Sequence, residues 1–323
     1  MPALLSAYFV AALCYSILCG MLGKSYHPLS AYLIYALALT PGLIAALAVG
    51  KATQLWQWRR VWPPNRDETL AAVSSTIILT ASTLMLLSPQ SLIRVFPSHA
   101  GCLLLVARFS SPSSMLIAGI SMVAVGLSIL HKPFLVAVVP IGLGLLKTFG
   151  YGIKIGSVNA AKGGQRSTDT ATTTKHNPDD FLAAEQALIS VLALAVAGVF
   201  GIVSLQLNIV PPTGQGSFLL DWRLWAMSAS SLGMGLLGTR IMLRGTRETT
   251  SYSFPAYRMM SLLAALGAAW VRGEIRFKAE YWANWTAALL ACITIFLASR
   301  SAAASSVAAT LAASDVTKLK QAV

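Results

Sequence analysis

The sequence predicts an all-α polytopic membrane protein. Of its 323 residues, 56% are hydrophobic and only 11% are charged, whereas soluble proteins carry about a quarter charged residues. The mean hydropathy is +0.67. The apolar residues come in blocks of roughly 18–25 residues, the length that a helix needs to cross about 30 Å of hydrocarbon. In lipid the backbone amides must be satisfied within the segment, so these blocks are expected to be helical.

Ten such blocks predict ten transmembrane helices. A Gly-, Ser- and Thr-rich linker at 158–181 separates the sixth from the seventh, and an Ala- and Ser-rich tail occupies 300–323. Asn177 and Pro178, followed by two aspartates, are typical of a helix start. The predicted helices cover residues 2–23, 29–50, 68–88, 90–109, 112–130, 133–157, 182–206, 218–241, 250–271 and 279–299.

Lys and Arg are distributed unequally between the two sides of the predicted membrane. With the N-terminus in the cytosol, 14 of the 24 fall in inside loops and five in outside loops. Because cytoplasmic loops carry an excess of Lys and Arg, both termini are predicted to be cytosolic. The membrane would be that of the Golgi or ER in a eukaryote, or the inner membrane in a bacterium. The same bias explains the net charge of +13, and no basic run interleaved with aromatic residues indicates nucleic-acid binding.

No residue pattern in the sequence indicates catalysis or a bound metal. The four cysteines fall in apolar blocks without a CxxC motif, and the four histidines are scattered, so neither a disulfide framework nor a metal site is predicted. Asp179 and Asp180 lack the second acidic motif of a metal–pyrophosphate site, and we interpret them as part of the helix start. We therefore expect no enzyme and no cofactor, because a membrane enzyme acting on lipid-linked substrates would need paired carboxylates or a His-rich centre. The sequence leaves a homodimer open.

The predicted helices divide into two sets of five, at 1–131 and 132–323. The fourth and ninth predicted helices both carry Phe-Pro near their start, at Phe96-Pro97 and Phe254-Pro255. Because five is odd, a second copy of the first set would cross the membrane in the opposite orientation. Such inverted repeats are typical of transporters, whose substrate site lies between the halves near the midplane.

Basic residues inside the predicted helices are the candidate substrate ligands, because a charge near the bilayer centre is costly. Lys147, Tyr151 and Lys154 are spaced i, i+4 and i+7 and therefore share one face of the sixth helix. Tyr257 and Arg258 lie near the start of the ninth helix. The sixth helix also carries glycines that allow close approach of a neighbour, namely Gly144, Gly150, Gly152 and Gly156.

Acidic residues are expected to be absent from the apolar parts of these helices, because Glu185, Asp221 and Glu280 all fall near helix ends. The basic residues would then lack partners within the protein and await an anion from outside. Two alternatives stay open: Lys154 is near enough to the cytosolic end to snorkel, and His99 could be either a ligand or a packing residue. The sequence thus predicts a small anionic substrate, a surrounding lipid bilayer and no metal.

The end of the chain carries a family resemblance. The segment 254–299, FPAYRMMSLLAALGAAWVRGEIRFKAEYWANWTAALLACITIFLAS, has a turn at Arg272-Gly273-Glu274 and a closing helix that begins Tyr281-Trp282. It resembles the drug/metabolite transporter superfamily. Within that superfamily, SYSFPAYRMMSLLAAL is similar to the penultimate helices of nucleotide-sugar and triose-phosphate transporters, which place a Lys or Arg where Arg258 stands. The first half departs from the pattern, since SSPSS follows Phe109 in place of a Gly-Glu turn.

The resemblance implies a secondary transporter that moves a nucleotide sugar or a phosphorylated metabolite by alternating access, in exchange for a second anion. The broad bacterial branch of the superfamily supplies an alternative on the same fold, an exporter of amino acids or small drugs.

Overall fold

The computed structural model describes six segments of the chain, all of them helical. They are residues 2–27, 64–87, 134–164, 178–208, 221–244 and 253–273, together with the isolated positions 29, 36, 289 and 293. The helices are α1 (Pro2–Ser25), α2 (Arg66–Leu86), α3 (Phe134–Gly164), α4 (Pro178–Gln206), α5 (Trp222–Arg244) and α6 (Ser253–Val271).

These helices match six of the ten predicted ones, and all six predicted spans on described residues are helical. The linker predicted at 158–181 is helical at both ends, because α3 continues to Gly164 and α4 begins at Pro178. Apart from the isolated positions, the other predicted spans and the tail lie outside the described residues, at 29–50, 90–109, 112–130, 279–299 and 300–323.

Local signals set the starts of α2 and α4. Asn65 caps α2: its side chain accepts from the Glu68 amide at 2.8 Å, and the Glu68 carboxylate accepts from the Asn65 amide at 2.7 Å. This reciprocal capping box satisfies two amides that the first turn leaves without helical partners. At α4, Pro178 occupies the first position, where its missing N–H is not needed. The predicted helix start is therefore confirmed at Pro178, and Asn177 lies outside the described residues.

The sequence around Phe254-Pro255 opens α6, and a glycine closes it. Pro255 lies in the first turn of the helix, where the amide it lacks would have had no intrahelical partner. At the other end Gly273 has a φ of +65°, and its amide donates to the Trp270 carbonyl at 2.9 Å. A left-handed residue that terminates a helix is usually glycine, because it has no Cβ to clash. Arg272 and Gly273 of the predicted turn therefore follow the helix directly, and Glu274 lies outside the described residues.

The helices pack in two groups around a shared interior. α1 contacts α5 and α6, and α2 contacts α3 and α4, while contacts of α4 with α5 and of α1 with α2 join the two groups. One buried apolar cluster includes Leu22, Ile189 and Met227, and a second includes Tyr8, Phe181 and Ile241. α1, the first described helix, thus lies against α5 and α6, the last two described helices.

The distribution of polar and apolar side chains is that of a membrane protein. Leu145 and Phe149 of α3 are 59% and 62% exposed, whereas Lys147 between them is 7% exposed. In a soluble protein a lysine is almost never buried and large apolar side chains turn inward. Among the described residues, three helices are long and apolar enough to cross a membrane: α1, α2 and the Asp180–Gln206 part of α4. The protein is therefore an α-helical integral membrane protein.

One edge of the bundle collects the ends of several helices. The Tyr26 hydroxyl, just after α1, donates to Asp221 at the start of α5 over 3.1 Å. Gly23 of α1 lies against the Leu87 carbonyl at the end of α2. Arg272, at the end of α6, donates to the Ser16 carbonyl of α1. α1, α2 and α6 therefore run in the same direction, and α5 runs opposite to them.

Candidate functional site

A central cavity is lined by side chains from all six described helices. Its volume, measured as the space open to the centres of water molecules, is about 100 Å³. Its wall combines apolar residues with hydroxyls and charged groups. The polar lining residues are Tyr8, Tyr15, Ser16, Ser75, Ser82, Lys147, Tyr151, Lys154, Glu185, Gln186, Ser231, Tyr257 and Ser261.

The spacing of polar residues on α3 is what brings its charges into this cavity. Lys147, Tyr151 and Lys154 all line it, as expected for residues on one helix face. Lys147 and Lys154 are each 7% exposed and Tyr151 is 2% exposed. The structure therefore places both lysines in the protein interior, so Lys154 does not reach the surface by snorkelling.

Lys154 joins four helices through its ammonium group. Nζ donates to Ser75 Oγ of α2 at 2.7 Å, to Glu185 Oε1 of α4 at 3.0 Å, and to Thr239 Oγ1 of α5 at 2.7 Å. An ammonium group has three hydrogens to donate, so these three acceptors match its full capacity. The hydrogen-bonding capacity of the Lys154 ammonium group is thus filled by other side chains of the protein.

The expectation that the buried basic residues lack acidic partners is wrong for Lys154. Glu185 is 0% exposed and forms an ion pair with it, and the Ser75 hydroxyl donates to the same carboxylate oxygen. The apolar block at 182–206 puts Glu185 near its start, but α4 begins at Pro178, where the sequence also predicts a helix start, and Glu185 therefore lies two turns inside. Two adjacent polar residues, Glu185-Gln186, in an otherwise apolar block were the signal that could have revealed it.

Arg258 lies behind the cavity wall. It is 1% exposed, and its Nη1 donates to the Tyr151 hydroxyl at 2.8 Å. Its guanidinium carbon is 4.8 Å from the centre of the Tyr151 ring and 5.9 Å from that of Tyr257, distances at which a cation is attracted to the ring face. The two tyrosine hydroxyls are 3.0 Å apart. Tyr151 and Tyr257 line the cavity, and Arg258 supports both from outside it.

The glycines of α3 divide into two kinds. A Cβ at Gly150 would lie 2.9 Å from Ile78 Cγ1 and 3.1 Å from the Ser74 carbonyl, so this glycine permits the close approach of α2 that was predicted. At Gly152 and Gly156 no described atom lies within 4 Å of such a Cβ. These two glycines do not serve a close contact with the described helices.

Of the six predicted site residues, five meet at or directly behind one cavity. The sixth, His99, lies outside the described residues. Sequence reasoning missed Glu185, Ser75 and Thr239, which hold Lys154. Within the described segments no group of three or more His, Cys, Asp or Glu side chains could hold a metal ion.

Comparison with known proteins yields a likeness of fold. No family model matches the chain, and no curated protein is similar to it in sequence. A crystal structure described only as that of a protein superposes on it with a TM-score of 0.51 at 14% identity. The match covers 93% of this chain and 97% of that one. The two proteins therefore share an overall fold along almost their full length.

Proposed function

We propose that the protein is a secondary transporter that carries a small organic anion across its membrane by alternating access. The observation that carries this proposal is the central cavity. All six described helices line it, and buried cationic side chains lie in or behind its wall. Substrate sites of secondary transporters lie between helices at the bundle centre in the same way.

The charge around the cavity favours an anion. Three cationic groups, Lys147, Lys154 and Arg258, and one carboxylate, Glu185, are buried there among the described residues. The ion pair neutralises Lys154 and Glu185, and Lys147 and Arg258 are the further cationic groups buried in or behind the cavity wall among the described residues. A buried cation is stabilised by a nearby negative charge, so an anionic substrate would offset the cost of holding this charge in the membrane.

The size of the cavity favours a small substrate within the predicted class. About 100 Å³ of the cavity is open to water centres, well above the roughly 10–15 Å³ that a single water needs. The cavity between the described helices therefore has room for a small polar ligand, and we favour a phosphorylated metabolite or another small organic anion. The ten-helix architecture, the two inverted five-helix repeats and the cytosolic termini belong to this proposal. They derive support from the charge bias and from the resemblance of the 254–299 segment.

A specific observation supports a second candidate, an exporter of amino acids. Glu185 lines the same cavity as Lys147, and its Oε2 is buried without a hydrogen-bond partner among the described residues. A zwitterion would place its carboxylate near Lys147 and its ammonium group near this free oxygen. The two candidates differ in whether the substrate must carry a positive charge.

Thermal-shift binding measurements on the purified full-length chain test the proposal. A ligand that binds only the folded state stabilises it by about 2.7 kcal/mol at one hundred times its Kd. We expect inorganic phosphate and triose phosphates to raise the melting temperature, and uncharged sugars of the same size to leave it unchanged. Stabilisation by amino acids but not by phosphates would favour the second candidate. Equal shifts with Lys147→Gln and with the exposed-residue control Lys24→Gln would contradict binding in this cavity.

A further inference from the structure

Arg258 does not line the cavity but contacts Tyr151, which does. A guanidinium group can only donate hydrogen bonds, so in the 2.8 Å contact with Tyr151 the tyrosine oxygen is the acceptor. The Tyr151 hydroxyl still has its own hydrogen to donate. The Tyr257 oxygen lies 3.0 Å away, within ordinary hydrogen-bond distance. The Tyr257 hydroxyl lies at the cavity wall, within reach of the Tyr8 hydroxyl, and its hydrogen can be donated to an acceptor in the cavity.

Packing against neighbouring helices holds the Tyr257 ring in place. A Cβ at Gly238 of α5 would lie 2.8 Å from Tyr257 Cε2 and 3.4 Å from its hydroxyl oxygen, so only glycine leaves room for the ring there. On α1 the Tyr8 ring has its centre 4.6 Å from that of Tyr257. Phe254 supports Tyr151 edge-on, with ring centres 5.4 Å apart. The two hydroxyls are therefore positioned by three helices.

We propose that Arg258 is a positioning residue that works through a relay, Arg258 to Tyr151 to Tyr257, defined by these two hydrogen bonds. The guanidinium charge polarises both hydroxyls, since hydrogen bonds in a chain strengthen one another at low dielectric. Tyr257 then donates a strengthened hydrogen bond to an anionic oxygen of the substrate, opposite Lys147. This inference rests on the proposed anion transport and assigns the ligand-contacting role to Tyr257 in place of Arg258.

The relay predicts that the effects of two tyrosine substitutions on ligand binding are not additive. Tyr151→Phe and Tyr257→Phe each remove one oxygen and keep the ring, so both variants should fold. We expect each to raise the Kd for inorganic phosphate about tenfold, the size of a lost hydrogen bond to a charged group. Because both changes break the same relay, the double variant should bind no more weakly than either single variant. Independent contacts would instead add.

A second double-mutant comparison, of Arg258 with Tyr151, tests the role of Arg258. Arg258→Lys keeps the charge but loses the planar donor geometry, and we expect it to weaken phosphate binding in the wild-type background. In the Tyr151→Phe background the same change should have a much smaller effect, although Arg258 also donates to Ser261 of the cavity wall at 3.5 Å. An equal loss in both backgrounds would show that Arg258 does not work through Tyr151 and would overturn the relay. The Tyr26→Phe variant is the matched control, because it removes a tyrosine hydroxyl at the bundle edge and should leave the Kd unchanged.

Failure of the relay and failure of anion transport give different results. Kd values come from thermal-shift titrations of the full-length chain with inorganic phosphate, including Lys147→Gln in the series. Phosphate binding that is lost in Lys147→Gln but unaffected by Tyr257→Phe would overturn the relay alone. Absence of phosphate binding to the wild-type chain would overturn the relay and the anion site together.

Discussion

Two ion pairs in this protein join the same kinds of group in opposite surroundings. Lys154 and Glu185 meet at the central cavity, with side chains 9% and 0% exposed, and come from different helices. Arg223 and Asp221 meet at the bundle edge, with side chains 26% and 11% exposed, and are two residues apart in the sequence. Both are short contacts, of 3.0 and 2.7 Å. Distance alone therefore does not distinguish their roles.

The edge pair is explained by local structure. The Asp221 carboxylate accepts from the Arg223 backbone amide at 3.0 Å, which caps the start of α5. It also accepts from the Tyr26 hydroxyl, which ties α1 to α5. The Arg223 guanidinium beside it lowers the pKa of Asp221 below its usual value. Every one of these contacts stabilises the end of a helix near water.

The central pair has no such local explanation. Taking two charges out of water costs several kcal/mol per ion, and their attraction offsets that cost only with excellent geometry. Lys154 has that geometry, with three acceptors from three other helices. A protein that needed only stability could use apolar side chains here. The two pairs therefore differ in cost and in surroundings, and a role of the central charges in the cavity belongs to the proposed function.

The largest expected effect comes from breaking the central pair. Glu185→Gln leaves the Lys154 charge buried without its carboxylate, and we expect a loss of about 3–5 kcal/mol of stability. The measurement is the melting temperature of the purified protein in detergent. The double variant Lys154→Met/Glu185→Leu removes both charges and should recover most of the stability that Glu185→Leu alone loses. A double variant as unstable as the single one would contradict the view that the uncompensated charge is the cause.

A smaller effect is expected where α2 approaches α3 beside the central pair. Gly150→Ala puts a methyl group 2.9 Å from Ile78 and 3.1 Å from the Ser74 carbonyl, and overpacking of this kind costs about 1–3 kcal/mol. Gly156→Ala on the same helix meets no described atom within 4 Å and should be neutral or stabilising, by up to about 1 kcal/mol. Gly150→Ala should therefore lower the melting temperature, and Gly156→Ala should not. Equal shifts would contradict the close α2–α3 contact.

The smallest effect is expected at the edge. Asp221→Asn keeps a good capping side chain but loses the charge, and an ion pair near the surface contributes about 0–1 kcal/mol. Salt at 1 M should reduce this difference, because the Debye length falls to about 3 Å, whereas the Glu185→Gln effect should persist. A loss at Asp221→Asn as large as that at Glu185→Gln would break the comparison.

The edge pair also has a defined pH dependence. Because the folded-state pKa of Asp221 is lowered, its charge stabilises the fold above the ordinary aspartate pKa of about 3.9. That contribution is lost as the pH falls through the lower folded-state value. The difference in melting temperature between wild type and Asp221→Asn should therefore be constant near neutral pH and shrink below about pH 4. A difference that grows on acidification would contradict this sign.

Periodicity and composition were enough to predict much of this arrangement. Block length predicted the six described helices, and the i, i+4, i+7 spacing predicted the shared face of Lys147, Tyr151 and Lys154. Both are local properties, fixed by the rise and turn of one helix. At α4 the start signal at Pro178 was a better guide than the apolar block at 182–206, because helix boundaries depend on capping as well as on apolar length.

The partners of these residues could not be predicted in the same way. Lys154 meets Ser75, Glu185 and Thr239 because of how four helices are rotated and packed, and no single helix carries that information. For Arg258, sequence reasoning identified a buried charge but could not tell whether the guanidinium faces the cavity or the tyrosines behind its wall. The sequence therefore identified candidate residues, and the packing of the helices distinguished their roles.

Anion exchange by the reconstituted protein tests the central claim most directly. Full-length wild type, Lys147→Gln and Lys24→Gln are placed in proteoliposomes loaded with phosphate, and the entry of labelled inorganic phosphate is followed. Lys147 and Lys24 are both lysines of described helices, but Lys147 is buried at the cavity and Lys24 is exposed. We expect wild type and Lys24→Gln to exchange phosphate equally and Lys147→Gln to lose exchange while keeping its fold. Undiminished exchange by Lys147→Gln would contradict the assignment of the cavity as an anion pathway.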